Sequence, residues 1–351
     1  MKRIGIDARL INQTGVGVYI RNLLYCLAEQ DTPNRLFYIY TLSGDDRLVP
    51  ASPKFTIRTT SAYWHGLAEQ TVFLLQLLRD DLDLMHFTYF SWPIGYLRPF
   101  VATVHDLTLL THETGRLSTQ HPLIYQLKRM VFRVVFSSQV MRARAIMVPT
   151  KAIAKALKDR FGREAVVVHE GINRELSSAT PIPMNDIGTE PFLLYVGNCY
   201  PHKNIDKLLE AARGLKLVMV GPRNSFSERY EKQYPEVVWR YHLESGRLKW
   251  LYQHAHALVN PSLAEGFGLP VVEALAFGCP VVCSDIPVLH EVTEDQATFF
   301  DPQSIDDMRS KLLAALSVTR KAHEHHLTSA NTFEQMAAKT IHVYQLALTY
   351  R

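Results

Sequence analysis

Two glutamates separated by seven residues could bind a ligand that is rich in hydroxyl groups. Glu265 and Glu273 flank a run that includes Gly266 and Gly268, and glycines let the main chain approach a ligand or adopt positive φ. Carboxylates accept hydrogen bonds from hydroxyls, and exposed amides at a helix start bind anions. A nucleotide sugar carries both kinds of group. Taken alone, the pattern is equally consistent with a structural turn.

The residues after the second glycine predict the helix that would position one of these acids. Pro270 has a fixed φ and no amide hydrogen, which suits the first turn of a helix. The helix is predicted to end near residue 277, with Gly278 as its C-terminal cap. This assignment places Glu265 on a loop and Glu273 in the first helical turn, where the helix dipole favours an acid.

Further polar residues lie at the carboxyl ends of predicted strands. His202 and Lys203 precede a predicted helix, where cations would neutralise a bound diphosphate. The helix dipole disfavours a lysine at this position, so its presence favours a functional role. His105 and Asp106 follow an apolar run. An imidazole there could exchange a proton, bind a sugar hydroxyl or cap the loop, and Asp106 could orient that imidazole or cap the next segment. Glu170 could line the cleft or turn the chain, and we interpret it as a turn residue.

Two other patterns resemble ligand sites but are incomplete. Gly15 and Gly17 match the start of a dinucleotide fingerprint, yet Ile20 replaces its third glycine and no acid ends the next strand. We interpret them as a loop whose backbone approaches a phosphate. Asp81 and Asp83 have the Asp-x-Asp spacing of metal sites, but no strand precedes them. No other cluster has metal-ligand spacing, so the sequence predicts neither a metal nor a cofactor.

Short apolar runs that alternate with amphipathic stretches predict an α/β fold with parallel sheets. A stretch without periodicity, residues 173–191, predicts a linker between domains at residues 1–175 and 190–332. Residues 333–351 predict a helix that could close the second domain or cross back to the first. Ligands bind at the carboxyl ends of such strands, so we expect two facing Rossmann-like domains with an interdomain cleft. The predicted strands are residues 3–7, 36–41, 82–87, 100–104, 145–148, 165–168, 192–196, 215–220, 257–259, 280–283 and 298–300.

The net charge of +4 conceals an uneven distribution along the 351 residues. Residues 1–175 carry 22 lysines and arginines against 15 acids, whereas residues 176–351 carry 16 against 19. The segment 116–158 contains nine bases and no acid before Asp159. Its basic, amphipathic character predicts peripheral contact with an anionic membrane or, alternatively, a solvated basic face. It lacks the aromatic interleaving typical of nucleic-acid binding, so we expect no nucleic-acid partner.

Cysteine usage and hydropathy predict a cytoplasmic protein that could sit on the inner face of the membrane. The four cysteines form no CxxC pair and no disulfide-like framework. No segment approaches 18 uncharged apolar residues, and the N-terminus is typical of a strand rather than a signal peptide.

Taken together, these segments resemble the retaining glycosyltransferases of family 4, group 1, which have the GT-B fold. The resemblance covers nearly the whole chain, and the Glu-x7-Glu signature of Glu265 and Glu273 is its most specific part. The other segments that carry it are residues 15–17, 103–107 and 197–204. The resemblance implies a hexosyltransferase that retains anomeric configuration and needs no metal. It also implies that the final helix returns to the N-terminal domain.

The resemblance also assigns roles to residues. Lys203 looks like the cation on the donor diphosphate, and His202 stands where the family usually has arginine. Glu273 looks like the acid that binds the ribose, and Glu265 looks like the contact to the transferred sugar. His105 resembles the histidine near the reacting sugar, so His105, Glu265 and Lys203 are the expected catalytic residues. The remaining expected donor-binding residues are Gly15, Gly17, Phe267, Gly268 and Leu269.

The donor and acceptor are predicted by the same resemblance. The overall pattern is similar to bacterial mannosyltransferases of polysaccharide or O-antigen assembly, which implies mannose from GDP-mannose and a polyprenyl-diphosphate-linked saccharide acceptor. A UDP-sugar donor is the first alternative. A non-catalytic binding protein of the same fold is the second, and an NAD-dependent dehydrogenase is the third.

Overall fold

The computed structural model describes residues 1–111, 122–318 and 332–349, which divide into two compact units. The first comprises residues 1–110, 122–170 and 332–349, and the second comprises residues 171–318. Each unit is built on its own parallel sheet. The predicted α/β class with two parallel-sheet domains is therefore confirmed.

The first unit contains a seven-stranded sheet in the order β3-β2-β1-β4-β5-β6-β7. Ile6 of β1 pairs with His86 of β4, which in turn pairs with Val101 of β5. This register brings the carboxyl ends of the three central strands together, where the strand order reverses. Its strands are β1 (Lys2–Asp7), β2 (Arg35–Leu42), β3 (Phe55–Thr60), β4 (Leu84–Phe87), β5 (Phe100–Thr103), β6 (Ala145–Val148) and β7 (Val166–Val167).

The helices of the first unit cover both the sheet and the loops at its carboxyl edge. Gly17 lies in the first turn of α1, where an added Cβ would lie 2.7 Å from the carbonyl oxygen of Ile11. Only glycine therefore lets this helix start so close to the loop after β1. The helices are α1 (Val16–Glu29), α2 (Leu74–Arg79), α3 (Thr108–Thr111), α4 (Pro122–Arg142), α5 (Lys151–Phe161) and, at the end of the chain, α13 (Phe333–Thr349).

The final helix, α13, packs in the first unit against α1 and the strands β4, β5 and β6. Near its start, Gln30 Nε2 donates to the carbonyl oxygen of Glu334 at 3.1 Å. Near its end, Arg144 Nη1 donates to the carbonyl oxygen of Ala347 at 2.8 Å. The helix is thus fixed at both ends. Within the described residues, none of the helices has the length and apolar content to cross a membrane.

The second unit contains a six-stranded sheet in the order β10-β9-β8-β11-β12-β13, with the reversal between β8 and β11. Its strands are β8 (Leu193–Val196), β9 (Leu217–Gly221), β10 (Val238–Tyr241), β11 (Ala257–Asn260), β12 (Val281–Ser284) and β13 (Thr298–Phe300). Its helices are α6 (Arg174–Ser178), α7 (Ile205–Ala211), α8 (Ser225–Gln233), α9 (Ser245–His254), α10 (Leu269–Ala276), α11 (Pro287–Thr293) and α12 (Ile305–Ser317).

The segment predicted as a linker, residues 173–191, belongs to the second unit. It contains the short helix α6, which packs on α9. Lys249 Nζ donates to the carbonyl oxygens of Ser177 and Ala179 at 2.6 and 2.9 Å. These contacts involve the backbone of the segment, and composition does not reveal them.

One edge strand of each sheet was absent from the sequence prediction. These are β3 in the first unit and β10 in the second. Both lie at a sheet edge, and most of their residues are only partly buried or exposed. An edge strand has one neighbour and so needs no continuous apolar run. Apolar runs in the sequence therefore predicted the central strands and the strands at the opposite edges, β7 and β13.

Candidate functional site

A partly buried ion pair joins two loops at the carboxyl edge of the second sheet. Lys203 ends a single 3-10 turn after β8, and Glu265 lies on the loop after β11. Lys203 Nζ donates to Glu265 Oε1 at 2.7 Å, and the two side chains are 16% and 10% exposed. The residues are 62 positions apart in the chain, so the strand order of the sheet creates the contact.

Glu265 is held as an anion by three donors that share one oxygen. Besides Lys203, Ser262 Oγ donates to Glu265 Oε1 at 2.7 Å and Asn260 Nδ2 donates to it at 3.2 Å. Burial alone would raise the pKa of Glu265, but the charge of Lys203 and these hydrogen bonds lower it below its usual value. None of these three bonds uses Oε2.

The loop before α10 takes the form that its two glycines predict. Gly268 caps the start of the helix with φ of +88°, a conformation that side chains rarely adopt. Pro270 lies in the first turn and Gly278, with φ of +71°, follows the end. The predicted helix is confirmed. Phe267 is buried beneath the loop, and Leu269 is the first helical residue.

Glu273 lies just after the first helical turn, in which the sequence analysis placed it. It is the fifth residue of α10, and the first turn contains no acid. Its side chain is buried and accepts a hydrogen bond from Tyr252 Oη at 2.9 Å. Burial raises the pKa of Glu273 to about 7, and the Tyr252 bond acts in the opposite direction. Glu273 therefore changes its protonation near neutral pH.

His202 fixes the geometry of the two loops through its backbone. Its carbonyl oxygen accepts a hydrogen bond from the amide of Leu263 at 2.8 Å. Asn204, directly after Lys203, adopts a left-handed conformation and donates from Nδ2 to the carbonyl oxygen of Pro302 at 2.9 Å. The turn that carries Lys203 is thus anchored on both sides before α7 begins.

His105 lies at the carboxyl edge of the first sheet, between two acceptors. Its Nε2 donates to the carbonyl oxygen of Thr88 at 2.9 Å, and its Nδ1 lies 3.1 Å from Glu170 Oε1. Glu170 is therefore more than the turn residue predicted from the sequence. Asp106 does not orient the imidazole, since it accepts a hydrogen bond from the amide of Thr108 at 2.8 Å and caps α3.

The structure brings the predicted site residues together in two separate groups. His105 and the glycine loop belong to the first unit, where Gly15 caps α1 with φ of +67°. Lys203, Glu265 and the loop before α10 belong to the second unit. Among the described contacts, Glu273 bonds to Tyr252 rather than to either member of the ion pair.

A buried charge cluster at the end of β1 was not predicted from the sequence. Arg9 is fully buried and donates from Nη2 to Asp7 Oδ2 and to Glu69 Oε1, both at 2.7 Å. Ser91 Oγ donates to the same Glu69 oxygen at 2.5 Å. Glu69 opens a five-residue π-helical turn before α2. Only the Asp7-x-Arg9 spacing could have signalled this cluster, because Glu69 is 60 residues away.

The basic segment 116–158 has several bases that bind other parts of the protein. Arg142 donates to the carbonyl oxygens of Ile94 and Tyr96, and Lys155 pairs with Asp159. Arg116 lies outside the described residues. Helix α4 nevertheless exposes a row of large apolar side chains: Leu127, Met130, Val131, Val134 and Met141.

Comparisons with known proteins match both halves of the chain. The sequence profile described as "Glycosyl transferases group 1" matches residues 183–330. The profile described as "Glycosyltransferase Family 4" matches residues 13–176. The two profiles together cover nearly the whole chain and include every predicted site residue.

Individual relatives and one solved structure agree with these profiles. The chain is 28% identical over 59% of its length to the O-antigen chain mannosyltransferase RfbU of Salmonella typhimurium. It is 32% identical over 44% of its length to O-antigen chain mannosyltransferase B of Escherichia coli. It spans 61% and 46% of the lengths of these relatives. A sucrose-phosphate synthase from Thermosynechococcus elongatus has the same fold, with a TM-score of 0.77, 18% identity and full coverage of both chains.

Proposed function

Because the chain belongs to the group 1 glycosyltransferases of family 4, we propose that it transfers a hexose from a nucleotide sugar to a saccharide acceptor. The observation that carries this proposal is the Lys203–Glu265 pair at the carboxyl edge of the second sheet. It combines a cation for a diphosphate with an anion for sugar hydroxyls. Such a pair suits a ligand that contains both groups.

Each residue of the second unit has a distinct task in this proposal. Lys203 contacts the diphosphate and stabilises the negative charge that grows on it as the sugar leaves. Glu265 accepts hydroxyls of the transferred sugar at Oε2, while Ser262 and Asn260 keep its orientation fixed. Glu273, once ionised, accepts the ribose hydroxyls in place of the Tyr252 hydroxyl. The amides of Phe267, Gly268 and Leu269 supply donors beside the sugar, and His202 provides a second cation when it is protonated.

The first unit supplies the remaining contacts. The backbone at Gly15 and Gly17 approaches the phosphates at the start of α1, where the helix dipole favours an anion. His105 contacts the reacting sugar. The reaction proceeds with retention of configuration and without a metal, as the family resemblance implies.

The proposed donor is GDP-mannose, and the proposed acceptor is a polyprenyl-diphosphate-linked saccharide in polysaccharide or O-antigen assembly. Support comes from the two relatives that are named O-antigen chain mannosyltransferases. The alternative donor is a UDP-sugar. A non-catalytic binding protein would bind the nucleotide without turnover, and a dehydrogenase would require NAD.

A thermal-shift screen followed by a transfer assay tests this proposal. We expect GDP and GDP-mannose to raise the melting temperature more than UDP, ADP or NAD. A ligand at a hundredfold excess over Kd stabilises the folded state by about 2.7 kcal/mol, a shift of several degrees. A larger shift with UDP would support the alternative donor. The enzyme proposal fails if no nucleotide shifts the melting temperature or if bound donor gives no transfer.

We also propose that α4 contacts an anionic membrane surface, where a lipid-linked acceptor would lie. The support is the exposed row on this helix, in which Met130 and Val134 are each 58% exposed, together with the basic residues of the same segment. Apolar side chains insert at the interface, and lysines and arginines attract anionic lipids.

Vesicle flotation tests the membrane proposal. We expect the wild-type protein to float with vesicles that contain about 30 mol% anionic lipid. The double variant Met130→Glu/Val134→Glu should bind about tenfold less because it buries charge instead of apolar surface. Leu313→Glu, an exposed position in the second unit, is the matched control. Equal flotation of wild type and double variant would refute contact through α4.

A further inference from the structure

A chain of buried hydrogen bonds runs from the final helix toward His105 in the first unit. Tyr344 Oη on α13 lies 2.7 Å from His86 Nδ1 on β4, and His86 Nε2 lies 2.8 Å from Thr103 Oγ1 on β5. Thr103 Oγ1 in turn lies 3.1 Å from Tyr19 Oη on α1. The side chains of all four residues are buried. The chain thus connects α13 to α1 through the interior of the sheet.

The donor and the acceptor can be assigned for the first two hydrogen bonds of this series. In the described part of the protein, His86 is the partner found for the Tyr344 hydroxyl, and a buried hydroxyl proton without an acceptor is costly. Tyr344 therefore donates to Nδ1, which places the ring proton of His86 on Nε2, where it is donated to Thr103. Burial, with a smaller contribution from the charge of His105, lowers the pKa of His86 to about 3. The ring is consequently neutral at physiological pH.

Tyr19, the last residue in this series of hydrogen bonds, contacts His105. The ring of Tyr19 meets the His105 ring edge-on, with centroids 4.8 Å apart and an angle of 78°. The hydrogen bond to Thr103 fixes the tilt of the Tyr19 ring and hence the surface against which His105 packs. The bonds of His105 to Thr88 and Glu170 fix its two nitrogens, so the Tyr19 ring supplies the third constraint.

Attachment of α13 does not explain this buried polar chain. The helix is already fixed near both ends by Gln30 and Arg144, and apolar side chains could fill its middle without the need to satisfy four polar groups. Hydrogen bonds between buried polar groups restrict the arrangements that their members can adopt. We propose that Tyr344 and Tyr19, at the two ends of the chain, are positioning residues for His105. This inference rests on the proposed function, in which His105 contacts the reacting sugar.

Kinetics of three variants test the proposal. Tyr344→Phe and Tyr19→Phe should each lower kcat by about three- to tenfold, with a smaller change in KM for the donor because Lys203, Glu265 and Glu273 are unchanged. The double variant should lose little more than the more impaired single variant, because both substitutions break one chain. Tyr96→Phe is the matched control, since Tyr96 is buried in the same unit and its hydroxyl has no described partner. We expect it to retain full activity.

An NMR measurement without substrates separates this inference from the proposed function. The ring-proton resonances of His105 should shift in Tyr344→Phe and remain in place in Tyr96→Phe. Nitrogen chemical shifts should show His86 with its proton on Nε2 in the wild-type protein. Unchanged His105 resonances in Tyr344→Phe, or kcat losses that multiply in the double variant, would overturn the inference. Absence of transfer by the wild-type protein would instead count against the proposed function alone.

Discussion

Replacement of Lys203 by alanine is expected to lower kcat/KM for glycosyl transfer by about 10²–10³-fold. In the proposed mechanism this ammonium group faces the diphosphate while the bond to the sugar breaks, and His202 adds a charge there only when it is protonated. Glu265 keeps its hydrogen bonds from Ser262 and Asn260, so we expect the variant to fold with reduced stability. Steady-state kinetics with the preferred donor, together with a melting curve, measure both effects.

Lys207→Ala is the matched control for this prediction. Lys207 lies on α7, four residues after Lys203, but its ammonium group donates to Gln303 and has no bond to Glu265. The control should retain activity close to that of the wild-type protein. Near-wild-type turnover by Lys203→Ala would remove the residue from the proposed site, and an equal loss in Lys207→Ala would show that the effect is not specific to the pair.

Glu273→Gln is expected to remove a pH dependence of stability that the wild-type protein shows between about pH 4.5 and pH 7. The pKa of Glu273 is about 7 in the folded protein, against an ordinary value of 4.5. In this window the folded state keeps a proton that the unfolded chain has released. The free energy of unfolding therefore falls as pH rises, by about 3 kcal/mol across the window for this group. Below pH 4.5 the penalty is absent.

Melting curves of the ligand-free protein at several pH values measure this effect. The Gln variant cannot ionise at this position and should become more stable than the wild-type protein as pH rises toward 7. Glu236→Gln, at an exposed position of the same unit, should follow the wild-type profile. Parallel pH profiles for wild type and Glu273→Gln would show that Glu273 is not a buried acid with a raised pKa.

Local patterns predicted those parts of the fold that depend on neighbours in sequence. The central strands are apolar runs because both of their faces are buried, and the helix α10 follows from the glycines and the proline around it. The edge strands β3 and β10 escaped prediction because their residues are only partly buried. The segment 173–191 escaped it because Lys249 binds its carbonyl groups rather than its side chains.

In the candidate site, too, the residue types were predicted from local sequence, whereas the contacts between distant residues were not. Glu265 and Lys203 were both predicted as donor ligands from their types and local context. Their contact across 62 residues was not predicted, because only the strand order brings the two loops together. Glu170 was interpreted as a turn residue for the same reason, since its bond to His105 spans 65 residues. Sequence spacing gives the chemistry of single side chains, whereas partners depend on the tertiary fold.

The buried polar groups of the first unit also have distant partners that the sequence does not indicate. Arg9 lies two residues after Asp7, and that pair could be anticipated as a local contact. Glu69 and Tyr344 carry no sequence signal for their roles, since a glutamate in a loop or a tyrosine in an amphipathic helix is usually exposed or packed. Their hydrogen bonds become visible only when the strand ends and the final helix are placed together.

Calorimetric titration of the wild-type protein and Lys203→Ala with GDP and UDP tests the central claim most directly. That claim is that Lys203, paired with Glu265 in the second unit, binds the diphosphate part of a nucleotide sugar. We predict that the wild-type protein binds GDP more tightly than UDP and that Lys203→Ala binds GDP at least about tenfold more weakly. Equal affinity of both proteins for GDP, or failure of the wild-type protein to bind either nucleotide, would contradict the account.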